Sequence, residues 1–301
     1  MIKFVNAKIN IGLQIVSRRP DGYHNLQTVF YPVGLYAGTP ENPVEFCDVL
    51  EIITVEQDEE ITLELTGNKV DCPIEKNLVW KAAQLFFEAG APEGFKVKIS
   101  LDKHLPDGAG LGGGSADASF TLLMLVELAE RYAREKGLQW KAPEKKQLLD
   151  MAFSLGADCP FFIYNSPAYG EGAGEKLTPV NLDLAGHWLL IAKPFASVST
   201  KEAFAGIAVC PDVPDLRKIV DESPCKWGGT VKNDFENTIF AKHPEIGEIK
   251  EKMYGQGALY ASLTGSGACV YGIFKDHCTA QKAQMEMQHN PTIKALSLLK
   301  L

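Results

Sequence analysis

Residues 7–16 alternate without a break. Ile9, Ile11, Leu13 and Ile15 fall on one side, and Lys8, Asn10, Gly12 and Gln14 on the other. A period of two reads as a strand, and a polar second side predicts that it is buried on one face only. The triplet Pro20-Asp21-Gly22 supplies a turn, and a second strand-like run follows over 26–36. Two more apolar runs, 48–57 and 60–67, read as a further hairpin. At Asn77 the period changes. Residues 77–90 carry apolar side chains at helical spacing and stop at Gly90, 95–101 alternate again, and Ala118, Leu122, Leu125, Ala129 and Tyr132 recur every three or four positions. This last series predicts a long amphipathic helix ending near Gly137, with another helix over 143–156.

The second half restarts with a strand over 187–194, stopped by Pro194. Helices are predicted near 200–207, 213–222, 232–254 and 276–288, with a strand pair within 258–274. Strands that cluster while helices intervene irregularly predict an α+β fold rather than a doubly wound sheet. At 301 residues the chain is long for one core, so two lobes are expected, 1–165 and 166–301, with the boundary placed to within about fifteen residues.

Composition narrows the function classes. Hydrophobic content of 46% and charged content of 23% are those of an ordinary globular protein. The apolar run 120–129 is too short to span a bilayer and is interrupted by Thr121 and Glu127. The first residues lack the apolar core of a signal peptide, so the expected location is the cytoplasm. A formal charge of −8 argues against nucleic acid and anionic membranes as partners. The cysteines at 47, 72, 159, 210, 225, 269 and 278 show no metal-binding spacing and read as reduced thiols. Cys159 has no organised histidine beside it and reads as a packed thiol. His104, His187, His243, His277 and His289 form no pair that implies chemistry.

One stretch stands apart. "LPDGAGLGGGSADAS" (105–119) has glycine at 108, 110, 112, 113 and 114 and runs straight into the predicted long helix. Glycines lead the backbone close to a ligand, and a helix N-terminus offers unpaired N–H groups to an anion. Gly108, Gly110 and Gly113 spell a dinucleotide fingerprint, but no βαβ alternation surrounds it. A P-loop needs Lys after its glycines, and here Ser115 follows Gly114. A cradle for phosphate remains, against a purely structural turn.

The stretch resembles the second motif of the GHMP kinases, "NAKINIGLQIVSRRPDGYHNLQTVF" resembles the first, and "SLTGSGACVYGIF" (262–274) the third, in the same order along the chain. The spelling of Arg-Arg-Pro-Asp-Gly-Tyr-His, Leu-Gln-Thr, Gly-Ala-Asp-x-Pro-Phe-Phe and Asn-Asp-Phe-Glu narrows the resemblance to the branch that phosphorylates a cytidyl-methylerythritol in non-mevalonate isoprenoid synthesis. Another acceptor, as in homoserine or mevalonate kinases, is the alternative. A binding module without catalysis is a third reading. Ala116, where a second serine is common, and a long 37–48 segment depart from the pattern.

The resemblance implies a two-lobed fold, with an N-terminal lobe like ribosomal protein S5 and a ferredoxin-like C-terminal lobe. It implies ATP as donor and Mg2+ as companion ion, in a monomer or homodimer. Lys8 and Asp158 match the catalytic lysine and general base. On the strand pattern alone Lys8 reads as solvated, and from its own segment Asp158 reads as a helix-capping or turn aspartate. Pro106, Asp107, Gly108, Ala109, Gly110, Leu111, Gly112, Gly113, Gly114, Ser115 and Ala116 match the ATP loop, with Ser115 a candidate magnesium contact. Asn77 and Lys103 match positions lining the ATP pocket, their bland readings being an N-cap and a solvated lysine. On the acceptor side, Tyr23 and Phe204 match the pair that sandwiches cytosine while His24 bonds the base edge. Asn10, Thr200, Thr264 and Gly265 are expected to line the same cleft.

Overall fold

A computed structural model describes residues 1–20, 22–34, 46–70, 72–210 and 213–301. Most of the long 37–48 segment, and Asp21 of the first turn, lie outside the described residues. In chain order the elements are β1 (Ile2–Val5), β2 (Ala7–Arg18), β3 (His24–Val33), β4 (Asp48–Thr54), β5 (Ile61–Gly67), α1 (Leu78–Glu88), β6 (Val97–Lys103), α2 (Gly113–Lys136), α3 (Lys145–Leu155) and α4 (Cys159–Tyr164). They continue with β7 (Ala168–Gly172), β8 (Lys176–Pro179), β9 (Trp188–Pro194), α5 (Thr200–Phe204), α6 (Leu216–Ile219), α7 (Phe235–Lys242), α8 (Pro244–Gly255), β10 (Tyr260–Leu263), β11 (Val270–Phe274), α9 (His277–Met287) and β12 (Ile293–Lys300).

Contacts gather the chain into two compact units. The first comprises 1–7, 44–107 and 112–165, and the second 8–43, 108–111 and 166–301.

The first unit is built on a sheet of order β1-β4-β6-β5. Here the expected hairpin over 48–57 and 60–67 does not form: β6 lies between β4 and β5, antiparallel to one and parallel to the other. The parallel pair needs a crossover, which α1 provides. The sequence shows two adjacent strands but not the third that comes between them. Helix α1 starts where the Asn77 side chain accepts the Val79 N–H at 2.9 Å, and α2 stops at Gly137, as its periodicity predicted. Val79, Ala82 and Phe86 of α1 and Leu122 and Leu125 of α2 are buried, and the two helices pack together.

The second unit carries two sheets, β2-β3-β7-β8 and β10-β11-β9-β12. The expected half-buried strand over 7–16 is buried on both faces. Lys8 and Asn10 are each 2% exposed and find partners rather than water, while Gln14 is 3% exposed with its Oε1 buried and unpartnered. The helix expected over 232–254 is two, α7 and α8, divided at His243-Pro244, where proline excludes the helical conformation for the residue before it. Helices α5 and α6 are shorter than expected. Leu190, Ala192, Ile239, Ile246, Ile249, Leu263 and Val270 belong to one apolar core against which Phe204 packs.

Candidate active site

In the first unit the entry to the glycine loop is built around a buried lysine. Lys103, at the end of β6, is 7% exposed, and its ammonium donates to Asp48 Oδ2 and, at 2.7 Å, to Asp117 Oδ2. Asp48 Oδ1 accepts the N–H groups of His104 at 2.7 Å and Leu105 at 2.8 Å. The carboxylate therefore fixes both the lysine and the backbone leading into the loop. Burial alone would lower the Lys103 pKa, but the charges of Asp117 and Asp48 outweigh it and hold the ammonium protonated. One lysine cannot fully compensate two carboxylates, and burial pushes Asp117 up to about 8. Its Oδ1 is buried with no hydrogen-bond partner.

Lys103 and Asp117 line a cavity of about 220 Å³ together with Asn77, Leu78, Leu105 and Asp107. Asn77 both caps α1 and faces this cavity, so its bland and functional readings hold together. The solvated reading of Lys103 does not. The loop then enters α2 at Gly112, and no side chain caps that end of the helix. The first turn, Gly113-Gly114-Ser115, exposes backbone N–H groups that an anion can satisfy. Ala116 is fully buried, and its N–H donates to Gly112 O at 2.8 Å.

Asp158 is the N-cap of α4, yet its side chain makes no capping bond, which removes the helix-cap reading. Ser119 Oγ lies 2.8 Å from both Ser115 O and Cys159 O, pinning the start of α4, and with it Asp158, to the first turns of α2. Burial pushes the neighbouring Cys159 thiol up to about 11, as befits a packed thiol.

In the second unit Lys8 Nζ donates to Asn10 Oδ1 at 2.6 Å. Asn10 Nδ2 donates to Thr28 Oγ1 at 2.9 Å, and that hydroxyl donates to Gly12 O at 2.6 Å. Thr28 thereby sets which end of the Asn10 amide faces the lysine. The Thr264 hydroxyl accepts the Asn10 N–H at 3.2 Å and donates to Gly110 O at 3.1 Å. Residues 108–111 are otherwise held by Lys193 Nζ, 3.3 Å from Gly108 O, and by backbone: Lys8 N–H to Leu111 O at 2.9 Å and Cys269 N–H to Ala109 O at 3.3 Å. Ala109 and Leu111 are buried.

His24 stacks on Phe204, ring centroids 4.8 Å apart. Phe235 meets Phe204 edge-on at 4.8 Å. One face of Phe204 is therefore covered by His24 itself, which the sequence reading did not foresee. His24 Nε2 is buried without a partner, and burial with the nearby Arg18 charge lowers its pKa, leaving a neutral ring at pH 7. Tyr23 is 59% exposed. Thr200, the first residue of α5, is exposed as well.

The chain has relatives among known proteins. The GHMP kinases N-terminal domain matches residues 77–166 and the GHMP kinases C-terminal domain residues 204–291. A 4-diphosphocytidyl-2-C-methyl-D-erythritol kinase of Bacteroides thetaiotaomicron is 44% identical over 93% of this chain and 94% of its own. The chain belongs to the 4-diphosphocytidyl-2-C-methyl-D-erythritol kinase family of GHMP kinases. A family member from Porphyromonas gingivalis is 39% identical over 94% of this chain and 95% of its own. The crystal structure of a 4-(cytidine 5'-diphospho)-2C-methyl-D-erythritol kinase aligns over the whole of both chains with a TM-score of 0.77 at 29% identity. A homoserine kinase from Cytophaga hutchinsonii shares the fold, with a TM-score of 0.61 at 17% identity over 99% of this chain and 95% of its own. The α+β architecture is that of the GHMP kinases, in line with the sequence reading.

Sequence reasoning missed Asp48, Asp117, Thr28 and Asn233, although the last three lie inside quoted motifs. Asp48 carries no local signal: it stands 55 residues from the lysine it holds.

Proposed function

We propose that this family member transfers the γ-phosphoryl group of ATP to the 2-hydroxyl of 4-diphosphocytidyl-2-C-methyl-D-erythritol, in non-mevalonate isoprenoid synthesis. The observation that carries the reading is the 44% identity, over nearly the whole of both chains, with a relative that bears this name. In this reading Asp158 accepts the proton of the acceptor hydroxyl as its oxygen attacks Pγ, and the bond from Pγ to the β–γ bridging oxygen breaks, releasing ADP. Lys8, its ammonium aimed by Asn10, steadies the negative charge that develops. The backbone of 106–116 cradles the phosphates, while Asn77 and Lys103 lie on the base side. Tyr23, His24 and Phe204 hold the cytosine, with His24 Nε2 as a ready hydrogen-bonding group. Asn10, Thr200, Thr264 and Gly265 line the acceptor's path.

Mg2+ supplies charge neutralisation when it arrives with ATP. No group of three or more His, Cys, Asp or Glu able to hold a metal occurs among the described residues. In this reading the ion is carried on phosphates and water, with Ser115 Oγ as the protein contact. Residues 1–165 and 166–301 make the two lobes of this reading. No helix among the described residues is long and apolar enough to cross a membrane, and we place the enzyme in the cytoplasm as a monomer or homodimer.

ADP release with the cytidyl alcohol, homoserine and mevalonate as acceptors tests the reading. Turnover of the cytidyl compound alone is expected, and turnover of either other acceptor without it overturns the assignment. Within that assay, Asp158→Ala should lower kcat by about 10²–10⁴ while nucleotide binding persists. A kcat near that of the unaltered enzyme removes Asp158 from the base role.

A further inference from the structure

The segment Asn233-Asp234-Phe235-Glu236 has no part in the mechanism above, yet its polar side chains are all engaged within the second unit. Asn233 is 2% exposed. Its Nδ2 donates to two carbonyls, Leu263 O and Gly265 O, both at 2.9 Å, and its Oδ1 accepts the Phe235 N–H at 3.0 Å. Those two carbonyls bracket Thr264. Thr264 is in turn the residue whose hydroxyl joins the Asn10 N–H to Gly110 O. Asp234 reaches the other way, accepting the Ile15 N–H at 2.7 Å, while its own N–H donates to Leu13 O at 2.8 Å. Glu236 Oε1 accepts the Leu263 N–H at 2.9 Å, and its Oε2 accepts from Lys250 at 2.6 Å. The segment thus grips strand β2 beyond Lys8 and Asn10 and the turn after β10.

Asn233 is the member that the turn cannot replace. A carboxamide is needed to donate twice to converging carbonyls while accepting once from its own helix start. An aspartate would face the same carbonyls with a charged acceptor, and an alanine would take the side-chain donor from Gly265 O and leave Leu263 O only the Ser262 hydroxyl, 3.2 Å away.

We propose that Asn233 is a positioning residue for phosphoryl transfer: by fixing the carbonyls on either side of Thr264 it sets the Thr264 hydroxyl, and through it the Asn10–Lys8 pair and the Gly110 backbone. The inference rests on the proposed role of Lys8 and Asn10. Phosphoryl transfer depends on alignment, and a misplacement of about 1 Å can cost about 10²-fold in rate.

The test compares Asn233→Asp and Asn233→Ala with Ile246→Val, which trims a fully buried side chain of the same unit and touches none of these bonds. Expected for the Asn233 variants is a fall in kcat of about 10–100-fold per folded molecule, with KM for ATP and acceptor changed by less than about threefold. Hydrogen exchange in peptides covering 8–12 and 262–268 should quicken, because the Asn10, Thr264 and Gly267 amides lose their fixed partners. Ile246→Val should lower the melting temperature and leave kcat alone. A kcat within twofold of the unaltered enzyme, or a fall matched by Ile246→Val at equal melting temperature, overturns the proposal. If the unaltered enzyme does not turn over the cytidyl alcohol, the functional reading fails instead. Exchange needs no acceptor and still decides the positioning claim: unchanged exchange in both peptides rejects it.

Discussion

Residues 103–105 and 108–111 belong to one stretch of chain, yet the first is held by ion pairs and the second mostly by neutral contacts. At the entry, a buried lysine sits between two carboxylates, one of which also takes two backbone N–H groups. Farther on, the loop's own carbonyls accept the N–H groups of Lys8 and Cys269 and the Thr264 hydroxyl, with Lys193 Nζ, 3.3 Å from Gly108 O, added. The charged clamp tolerates changes in backbone detail but depends on protonation, since one ammonium must serve two acids. The second clamp contains no carboxylate and depends on shape. At Gly110, φ is +74°, and a Cβ would lie 2.0 Å from Thr264 O, which no real contact permits.

That contrast breaks hardest at Gly110. Gly110→Ala combines a left-handed backbone with a collision against main chain, so kcat/KM for ATP should fall by more than about 10²-fold if the loop shifts by about 1 Å. Steady-state kinetics alongside a melting curve separate displacement of the loop from unfolding. Near-normal kinetics would mean that the close approach to Thr264 is dispensable.

Lys103→Met tests the charged clamp. It leaves Asp48 and Asp117 buried without their cation, and loss of one partner of a buried ion pair costs about 3–5 kcal/mol. Denaturant unfolding measures it, and a loss below about 1 kcal/mol would show that the clamp is weakly coupled to the fold.

The smallest effect separates the two clamps by pH. Asp117 titrates near 8 in the folded protein, against about 4 for an ordinary carboxyl. The folded state holds the proton more tightly, so this contribution to stability is complete below pH about 4 and is lost as pH rises towards 8. Asp117→Asn removes the titration and can still accept from Lys103. Its melting temperature relative to the unaltered protein should therefore rise from pH 5 to pH 8. A flat difference across that range would place the shared proton elsewhere.

Much of the site was legible because its signals are local. The glycine loop, the helix after it, the N-cap at Asn77 and the alternation that puts Lys8 and Asn10 on one side of a strand are each written within a few neighbouring residues. The motif spellings at 18–24 and 156–162 carry the candidates Tyr23, His24 and Asp158. What was not legible depends on partners far along the chain. Asp48 becomes the anchor of the loop only because β4 lies beside β6. Asn233 reaches its turn only because that stretch of chain returns to β2, where Leu13 pairs with Asn233 in an isolated bridge.

The sequence alone, through its named motifs, indicated the class of chemistry, a kinase on an α+β chain. Periodicity, capping and turn residues act over one or two turns of backbone, so they can be read in order. The tertiary structure decided that the polar side of β2 is buried rather than wet, that β5 pairs with β6 in parallel through α1, and that two unlike clamps hold one loop. Desolvation explains the difference. A lysine or asparagine in a strand pattern is equally compatible with water and with a buried partner, and only the folded chain brings Asp48, Asp117 and Asn233 close enough to replace the water.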